Sequence, residues 1–175
     1  AVVCVTSLGL SLGATNNTIK NCNITAGGNT TTSIFGIYAA ASLISTSGSG
    51  EDNDNLTIQN NVVTTAYIGI YARAASTAGE LNGLVISKNT IGANATASYV
   101  TFKGVDVAYA DAAQIAENNI FNIKIATSVS NAGIDCGAGV RNSLIARNNI
   151  TGVYSQSTGG WGAYGINFSS STGGT

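Results

Sequence analysis

Two aspartates are the first candidates for chemistry in this sequence. Asp106 and Asp135 hold the same place in two similar phrases, GVDV at 104–107 and GIDC at 133–136. If these phrases form neighbouring strands of one sheet, their backbones lie about 4.8 Å apart. Two carboxyl groups at about 5 to 5.5 Å suit a retaining glycosidase, in which one acid stays protonated while the other attacks. The alternative is a pair of solvated surface acids, or an incidental cation site, on a flat strand face.

A second acidic group lies in the phrase EDNDN at 51–55, which ends a polar segment at 45–55. Calcium needs several oxygen ligands, and Glu51, Asp52 and Asp54 offer some of them. Their spacing lacks the full pattern of an EF-hand loop. We therefore interpret 45–55 as an inserted polar loop with a solvated tip, and we predict no metal site and no cofactor.

The composition excludes several classes of partner. The chain of 175 residues has no His, seven Lys and Arg against eight Asp and Glu, and a net charge of −1. A basic surface for nucleic acid is therefore not expected. No apolar run reaches the roughly 20 residues that a membrane-spanning helix needs, so membrane insertion is not expected either. The few charges and abundant Thr and Asn favour an extracellular or cell-surface location.

The elements that would position these residues form a repeat. The phrases IQNNVV, ISKNTI, IAENNI and IARNNI begin at Ile58, Ile86, Ile115 and Ile145. A repeat of roughly 20 to 50 residues indicates a solenoid. Each phrase carries an asparagine at its fourth position, where Asn suits a bend and bonds neighbouring backbone. We predict a structural ladder along the solenoid axis, made of Asn61, Asn89, Asn118 and Asn148.

A second phrase, typified by GIYA at 36–39 and 69–72, alternates with the first. Its apolar, variable, apolar order is the pattern of a strand with one buried face. The sequence therefore predicts an all-β parallel β-helix of about five coils. Residues 1–175 would form one such domain, or one segment of a longer β-helix.

These phrases resemble the repeats of the pectin-lyase-like superfamily, over about Val2 to Phe168. The resemblance implies a right-handed parallel β-helix. It also directs attention to polysaccharide-cleaving machinery, which in hydrolases of this fold is clustered Asp with a His-Gly stretch and an Arg-x-Lys. The chain has no His and no such Arg-Lys pair. We therefore assign no catalytic residues and expect a non-catalytic member.

Two outward columns have structural and functional interpretations. Tyr38 and Tyr71 are expected to stack one coil apart, either as a platform for surface glycans or, as we favour, by cross-strand packing. Lys88, Glu117 and Arg147 alternate in charge on three successive coils. Opposite charges on neighbouring strands contribute about 0.2–1 kcal/mol per pair, so this column is expected to support the register.

The strongest functional hypothesis concerns the two ends. No capping helix is apparent, and the first and last phrases belong to the same strand column, so both ends are expected to be uncapped. Docking of 165–170 onto 2–7 of another copy, or of an adjacent β-helix segment, would extend the sheet head to tail. The interface would comprise Val2, Val3, Val5, Ile166 and Phe168.

The main hypothesis is therefore a self-assembling structural protein, such as a filament, stalk or adhesin. The alternative is a β-helix that binds or cleaves carbohydrate, with Asp106 and Asp135 as its carboxylate pair. Ice binding is disfavoured, because consecutive Thr30, Thr31 and Thr32 alternate across a strand and cannot line one flat face.

Overall fold

A computed structural model describes residues 1–125, 127 and 129–169, and in it the chain winds through short strands joined by tight bends. In chain order the strands are β1 (Val3–Ser7), β2 (Thr18–Lys20), β3 (Asn23–Thr25), β4 (Phe35–Ala41), β5 (Thr57–Gln59), β6 (Val62–Thr64), β7 (Ile68–Arg73), β8 (Leu81–Asn82), β9 (Val85–Ser87), β10 (Thr90–Ile91), β11 (Lys103–Ala108), β12 (Ala110–Asp111), β13 (Gln114–Ala116), β14 (Asn119–Phe121), β15 (Lys124–Ile125), β16 (Asn131–Cys136), β17 (Val140–Arg141), β18 (Leu144–Ala146), β19 (Asn149–Thr151), β20 (Tyr154–Ser155) and β21 (Ala163–Phe168). The helical elements of the described residues are two short 3-10 turns, Thr77–Gly79 and Thr96–Ser98.

The strands stack as a parallel β-solenoid of about five coils, which confirms the predicted fold class. Sheet 1 has the order β1-β4-β7-β11-β16-β21, sheet 2 the order β2-β5-β9-β13-β18, and sheet 3 the order β3-β6-β10-β14-β19. Two shorter sheets lie in the bends between the main sheets. The sheet β8-β12-β17 lies between sheets 1 and 2, and the sheet β15-β20 lies between sheets 3 and 1. Each coil thus buries the inner faces of three main sheets against one another.

The register follows the sequence columns. Val105 pairs with Ile134, and Asp106 pairs with Asp135, as the repeated phrases predicted. The inward column of sheet 1 is fully buried at Ile37, Ile70, Val105 and Ile134. Apolar alternation therefore set the register, because a slip of one residue would turn this whole column to solvent.

Each sharp bend between sheets 2 and 3 contains one residue in the left-handed region. In this column φ lies between 53° and 60°, and its members are Asn21, Asn60, Lys88, Glu117 and Arg147. The left-handed residue thus precedes the ladder asparagine, and the asparagine itself does not adopt the left-handed conformation. Such a conformation costs roughly 1–3 kcal/mol outside glycine.

Cross-coil ion pairs follow the same bend. The Lys88 ammonium lies 3.6 Å from a Glu117 carboxylate oxygen, and the Arg147 guanidinium lies 2.6 Å from the other oxygen. The predicted charge ladder is therefore present. Because these side chains are largely exposed, each pair contributes modestly, and its main effect is to favour the correct register.

A column of glycines lets sheets 1 and 3 approach closely. A Cβ added at any of the first four glycines of this column would lie 2.6 or 2.7 Å from the carbonyl oxygen of the next glycine along it. Isoleucine and valine side chains of sheet 3 also press against the same backbone. Glycine is required here because real side chains do not reach such distances. The column consists of Gly36, Gly69, Gly104, Gly133 and Gly165.

The segment 45–55 contains no strand, as predicted, but it is not a solvated tip. Asn53 is fully buried, and its side-chain oxygen accepts a hydrogen bond of 2.9 Å from the backbone N–H of Ala14. Asp52 accepts from the backbone of Ser11, and Asp54 accepts from the backbone of Asn82 at 2.8 Å. Asp52 and Asp54 thus bind neighbouring coils through main-chain donors, which gives both carboxylates a structural role.

Candidate functional site

The predicted asparagine ladder is formed in the bend between sheets 2 and 3. Asn61, Asn89 and Asn118 are buried, and each Nδ2 donates to the Oδ1 of the asparagine on the following coil at 2.9 or 3.0 Å. The same Oδ1 also accepts the backbone N–H of the preceding asparagine at 3.0 Å. The second Nδ2 proton goes to an isoleucine carbonyl of the preceding coil, for example Ile58 for Asn89 at 2.9 Å. A buried amide is thereby fully satisfied at each step.

The ladder ends on a residue of another type. Cys22 occupies the equivalent place in the first coil, where its backbone N–H donates to Asn61 Oδ1 at 3.0 Å. Its thiol side chain is exposed and cannot supply the amide donor. The first interface between coils therefore has one ladder bond fewer than the others.

The two aspartates lie adjacent as expected, but they are buried and neutralised. Asp106 and Asp135 are 2% and 5% exposed, which contradicts the interpretation of solvated acids on a flat face. The Lys103 ammonium lies between them, 3.0 Å from Asp106 and in direct contact with Asp135. Arg73 donates to Asp106 at 2.7 and 3.0 Å, and Asn167 donates to Asp135 at 2.7 Å.

This network accounts for the aspartate column in structural terms. Burial by itself would lower the pKa of Arg73, but the Asp106 carboxylate outweighs it and raises that pKa above its ordinary value. The two cations, Arg73 and Lys103, lie against the two carboxylates, so the buried cluster is balanced in charge. A buried pair that must hold its charge balance favours a structural role over the carboxylate chemistry of a glycosidase.

We expect Asp106→Asn to lower the free energy of unfolding by about 2 kcal/mol, because Arg73 and Lys103 lose part of their compensation in a buried setting. Urea unfolding of the variant measures this effect. Asp54→Asn is the matched control, since that carboxylate is partly exposed and bonds an exposed amide. An equal, small loss in both variants would contradict a stabilising role for the network.

Tyr38 and Tyr71 stack as predicted, but they do not face solvent. Their ring centroids are 5.2 Å apart with planes 4° from parallel, and both residues are fully buried. The loop that follows β4 covers them, and its carbonyls accept both hydroxyls: Leu43 at 2.9 Å from Tyr38, and Gly48 at 2.7 Å from Tyr71. Burial raises the pKa of Tyr71 to about 12. A glycan platform at these residues is therefore wrong, and cross-strand packing is right.

The sequence did not reveal a groove that lies where sheet 3 turns toward sheet 1. It encloses about 380 Å³, within the roughly 300–1,000 Å³ of small-molecule sites. Tyr67, Tyr99 and Tyr154 line it together with Lys124. The Lys124 ammonium donates to the Tyr99 hydroxyl at 3.1 Å and lies 4.6 and 4.8 Å from the ring centres of Tyr99 and Tyr154.

The hydroxyls around Lys124 alter the acid–base properties of the groove. The pKa of Lys124 is raised mainly by its hydrogen bond to Tyr99, and secondly by its hydrogen bond to Tyr154. The bond from Lys124 lowers the pKa of Tyr99 in turn. The ammonium therefore stays charged at neutral pH. These residues come from the irregular segments between the repeated phrases, so only their aromatic character could have marked them in the sequence.

The predicted end residues lie on the outer strands of sheet 1. Val3 pairs with Ile37 in β4, and Ile166 pairs with Ile134 in β16. Ile166 is 46% exposed and Phe168 is 64% exposed, whereas Val5 at the other end is buried. Val2 is exposed, and Ser170, the last residue of the expected docking segment, lies outside the described residues.

Among the described residues no group of three His, Cys, Asp or Glu side chains is placed to hold a metal ion, and no helix there is long and apolar enough to cross a membrane. Comparisons with family models, with characterised proteins and with solved structures gave no match.

Proposed function

We propose that the chain is a structural solenoid segment of an extracellular or cell-surface filament, stalk or adhesin. In this proposal β21 pairs in parallel with the β1 strand of a further coil stack, supplied by another copy or by an adjacent segment. The winding is right-handed, as in the pectin-lyase-like proteins that the repeats resemble, and the segment has no catalytic role.

The glycine column is the observation that carries the proposal. At Gly36, Gly69, Gly104 and Gly133, the backbone of the next coil fills the space where a Cβ would lie. At Gly165 no atom of the described residues lies within 4 Å of that place. The last described strand therefore keeps the glycine that a further coil requires.

Apolar side chains at the same strand support this interpretation. Ile166 and Phe168 continue the inward columns of sheet 1 but stay largely exposed. Burying such side chains against a neighbour stabilises by roughly 1.5–3 kcal/mol each. Pairing would also satisfy the backbone N–H and C=O groups along the side of β21 that has no partner strand among the described residues. Val2 and Val3 offer a matching apolar strand at the opposite edge.

We expect Gly165→Ala to reduce association at least about tenfold, because the new methyl group would meet the backbone of an incoming coil at about 2.6 Å, as at the inner glycines. Sedimentation velocity over a concentration series, with electron microscopy of the same samples, measures the effect. Gly27→Ala is the control, since Gly27 also has open space around it but lies outside sheet 1.

The stacked species should be rods that lengthen with concentration in the wild-type chain and in Gly27→Ala. A wild-type chain that stays a monodisperse monomer at all concentrations would show the proposal to be wrong. Release of reducing ends or unsaturated products from polygalacturonate, if lost in Asp106→Asn and Asp135→Asn, would favour the enzymatic alternative.

A further inference from the structure

We propose that the groove lined by Tyr67, Tyr99, Lys124 and Tyr154 binds an anionic saccharide. This groove is separate from the strand edges of sheet 1 that stacking would use. Its occupant is identified by three features: one uncompensated cation, exposed aromatic faces, and a ring of neutral hydrogen-bonding groups.

The cation sets the charge of the ligand. Among the described residues that line the groove, Lys124 carries the only charge, and Asn29, Thr96, Thr101 and Gln156 supply neutral polar groups. No carboxylate of the described residues lies within ion-pair distance of its ammonium, which instead contacts tyrosine. A carboxylate or sulfate group of a ligand would complete its coordination with a charge-assisted hydrogen bond.

The aromatic side chains set the shape of the ligand. Tyr154 is 41% exposed, so part of its ring is free to pack against an apolar face of a bound molecule. Tyr67 is only 8% exposed, and within the described part of the chain its hydroxyl has no hydrogen-bond partner. The hydroxyl opens into the groove, where a ligand can offer it a donor or an acceptor. A sugar ring presents both an apolar face and hydroxyl groups, and it fits these walls better than a purely apolar ligand does.

The walls are held in place before any ligand binds. Asn29 comes from an early coil, and its amide donates to the carbonyl of Tyr99 at 3.2 Å. The Thr101 hydroxyl donates to the Asn29 carbonyl, which fixes the same loop from the other side. Asn131 donates to the carbonyls of Ile123 at 2.9 Å and Tyr154 at 3.1 Å, behind the groove. Such preorganisation reduces the entropy that binding must overcome.

Binding is best measured by isothermal titration with three sets of oligosaccharides of equal length. Hyaluronan fragments carry carboxylates, chondroitin sulfate fragments carry carboxylates and sulfates, and maltose-series fragments are neutral. We expect at least one acidic set to bind about tenfold or more tightly than the neutral set. The net charge of −1 opposes unspecific attraction of polyanions. Binding of the chondroitin sulfate fragments alone would identify a sulfate as the group that Lys124 contacts. Equal binding of both acidic sets would identify a carboxylate.

Two variants test the groove itself. Lys124→Gln should weaken acidic saccharides about tenfold or more, as expected for loss of a charged hydrogen bond, and should leave the neutral set unchanged. Tyr154→Ala should weaken binding roughly tenfold through the lost ring contact. The matched controls are Lys20→Gln, an exposed lysine on sheet 2, and Tyr164→Ala, a tyrosine that is 42% exposed on β21.

Tyr67→Phe keeps the fold and removes only the unpartnered hydroxyl, so it tests the site even if Tyr154→Ala fails to fold. It should weaken binding severalfold without lowering thermal stability. The proposal is overturned if neither acidic set binds, if neutral fragments bind equally well, or if Lys124→Gln and Tyr67→Phe bind as the wild-type chain does.

Discussion

Replacement of Asn89 by alanine is expected to lower the free energy of unfolding by about 4 to 6 kcal/mol, since three buried polar groups lose partners at roughly 1 to 3 kcal/mol each. These groups are the backbone N–H and the side-chain amide of Asn61, which donate to Asn89 Oδ1, and the carbonyl of Ile58, which accepts from Asn89 Nδ2. Asn89 is fully buried, so these groups are shielded from bulk solvent. Equilibrium unfolding in urea measures the change.

The control for this prediction is Asn149→Ala. Asn149 belongs to the same type of phrase, but it is exposed and its amide donates only to Asn119 at 2.8 Å. We expect a loss below about 1 kcal/mol there. Similar losses in the two variants would mean that the ladder contributes little beyond ordinary polar contacts.

The second large effect is expected from Gly104→Ala, which should destabilise the chain by about 3 kcal/mol or more. The added Cβ would lie 2.6 Å from the carbonyl oxygen of Gly133 and 2.6 Å from a methyl carbon of Ile120. The first of these atoms belongs to the backbone of a paired strand and cannot move without breaking the sheet. The stack would have to separate locally at sheet 1.

Gly165→Ala provides the matched control within the same column, because in the described part of the chain nothing lies within 4 Å of its Cβ position. In dilute solution, where the chain is not stacked, its unfolding free energy should change by less than about 1 kcal/mol. Equal destabilisation by the two substitutions would contradict the packing role assigned to the column. Thermal unfolding at low protein concentration compares the two directly.

The periodic part of the structure was predictable from the sequence for a physical reason. Strands that stack on similar strands need the same residue types at equivalent positions of successive coils. Asn89 is therefore in register with Asn118, and Val105 with Ile134. The solenoid, the ladder and the alignment of Asp106 with Asp135 all follow from this constraint. The glycines of the GIYA phrases carried a further signal, since a repeated glycine inside a strand marks a close backbone approach.

What the sequence did not reveal depends on segments that do not repeat. Burial of Tyr38 and Tyr71 requires the loop after β4 to fold back over sheet 1, and alternation alone shows only that they point away from the core. The neutralisation of Asp106 requires Arg73, which lies one coil earlier and two residues further along its own strand. The groove combines loops from several coils, such as those of Asn29 and Tyr99, whose approach no local pattern encodes.

The direction of the hydrogen bonds has a mechanical consequence. The strands run across the stack, so their inter-strand bonds lie along its axis, and tension applied along that axis is shared by all bonds of one interface at once. In the described residues the first interface holds three strand pairs, β1-β4, β2-β5 and β3-β6, whereas that between the coils of β11 and β16 holds five. The first interface also lacks one side-chain amide of the asparagine ladder, because Cys22 stands in that place. Among the interfaces between the five coils, a stack of this kind would therefore yield first between the coils of Cys22 and Asn61, while the later coils remained joined.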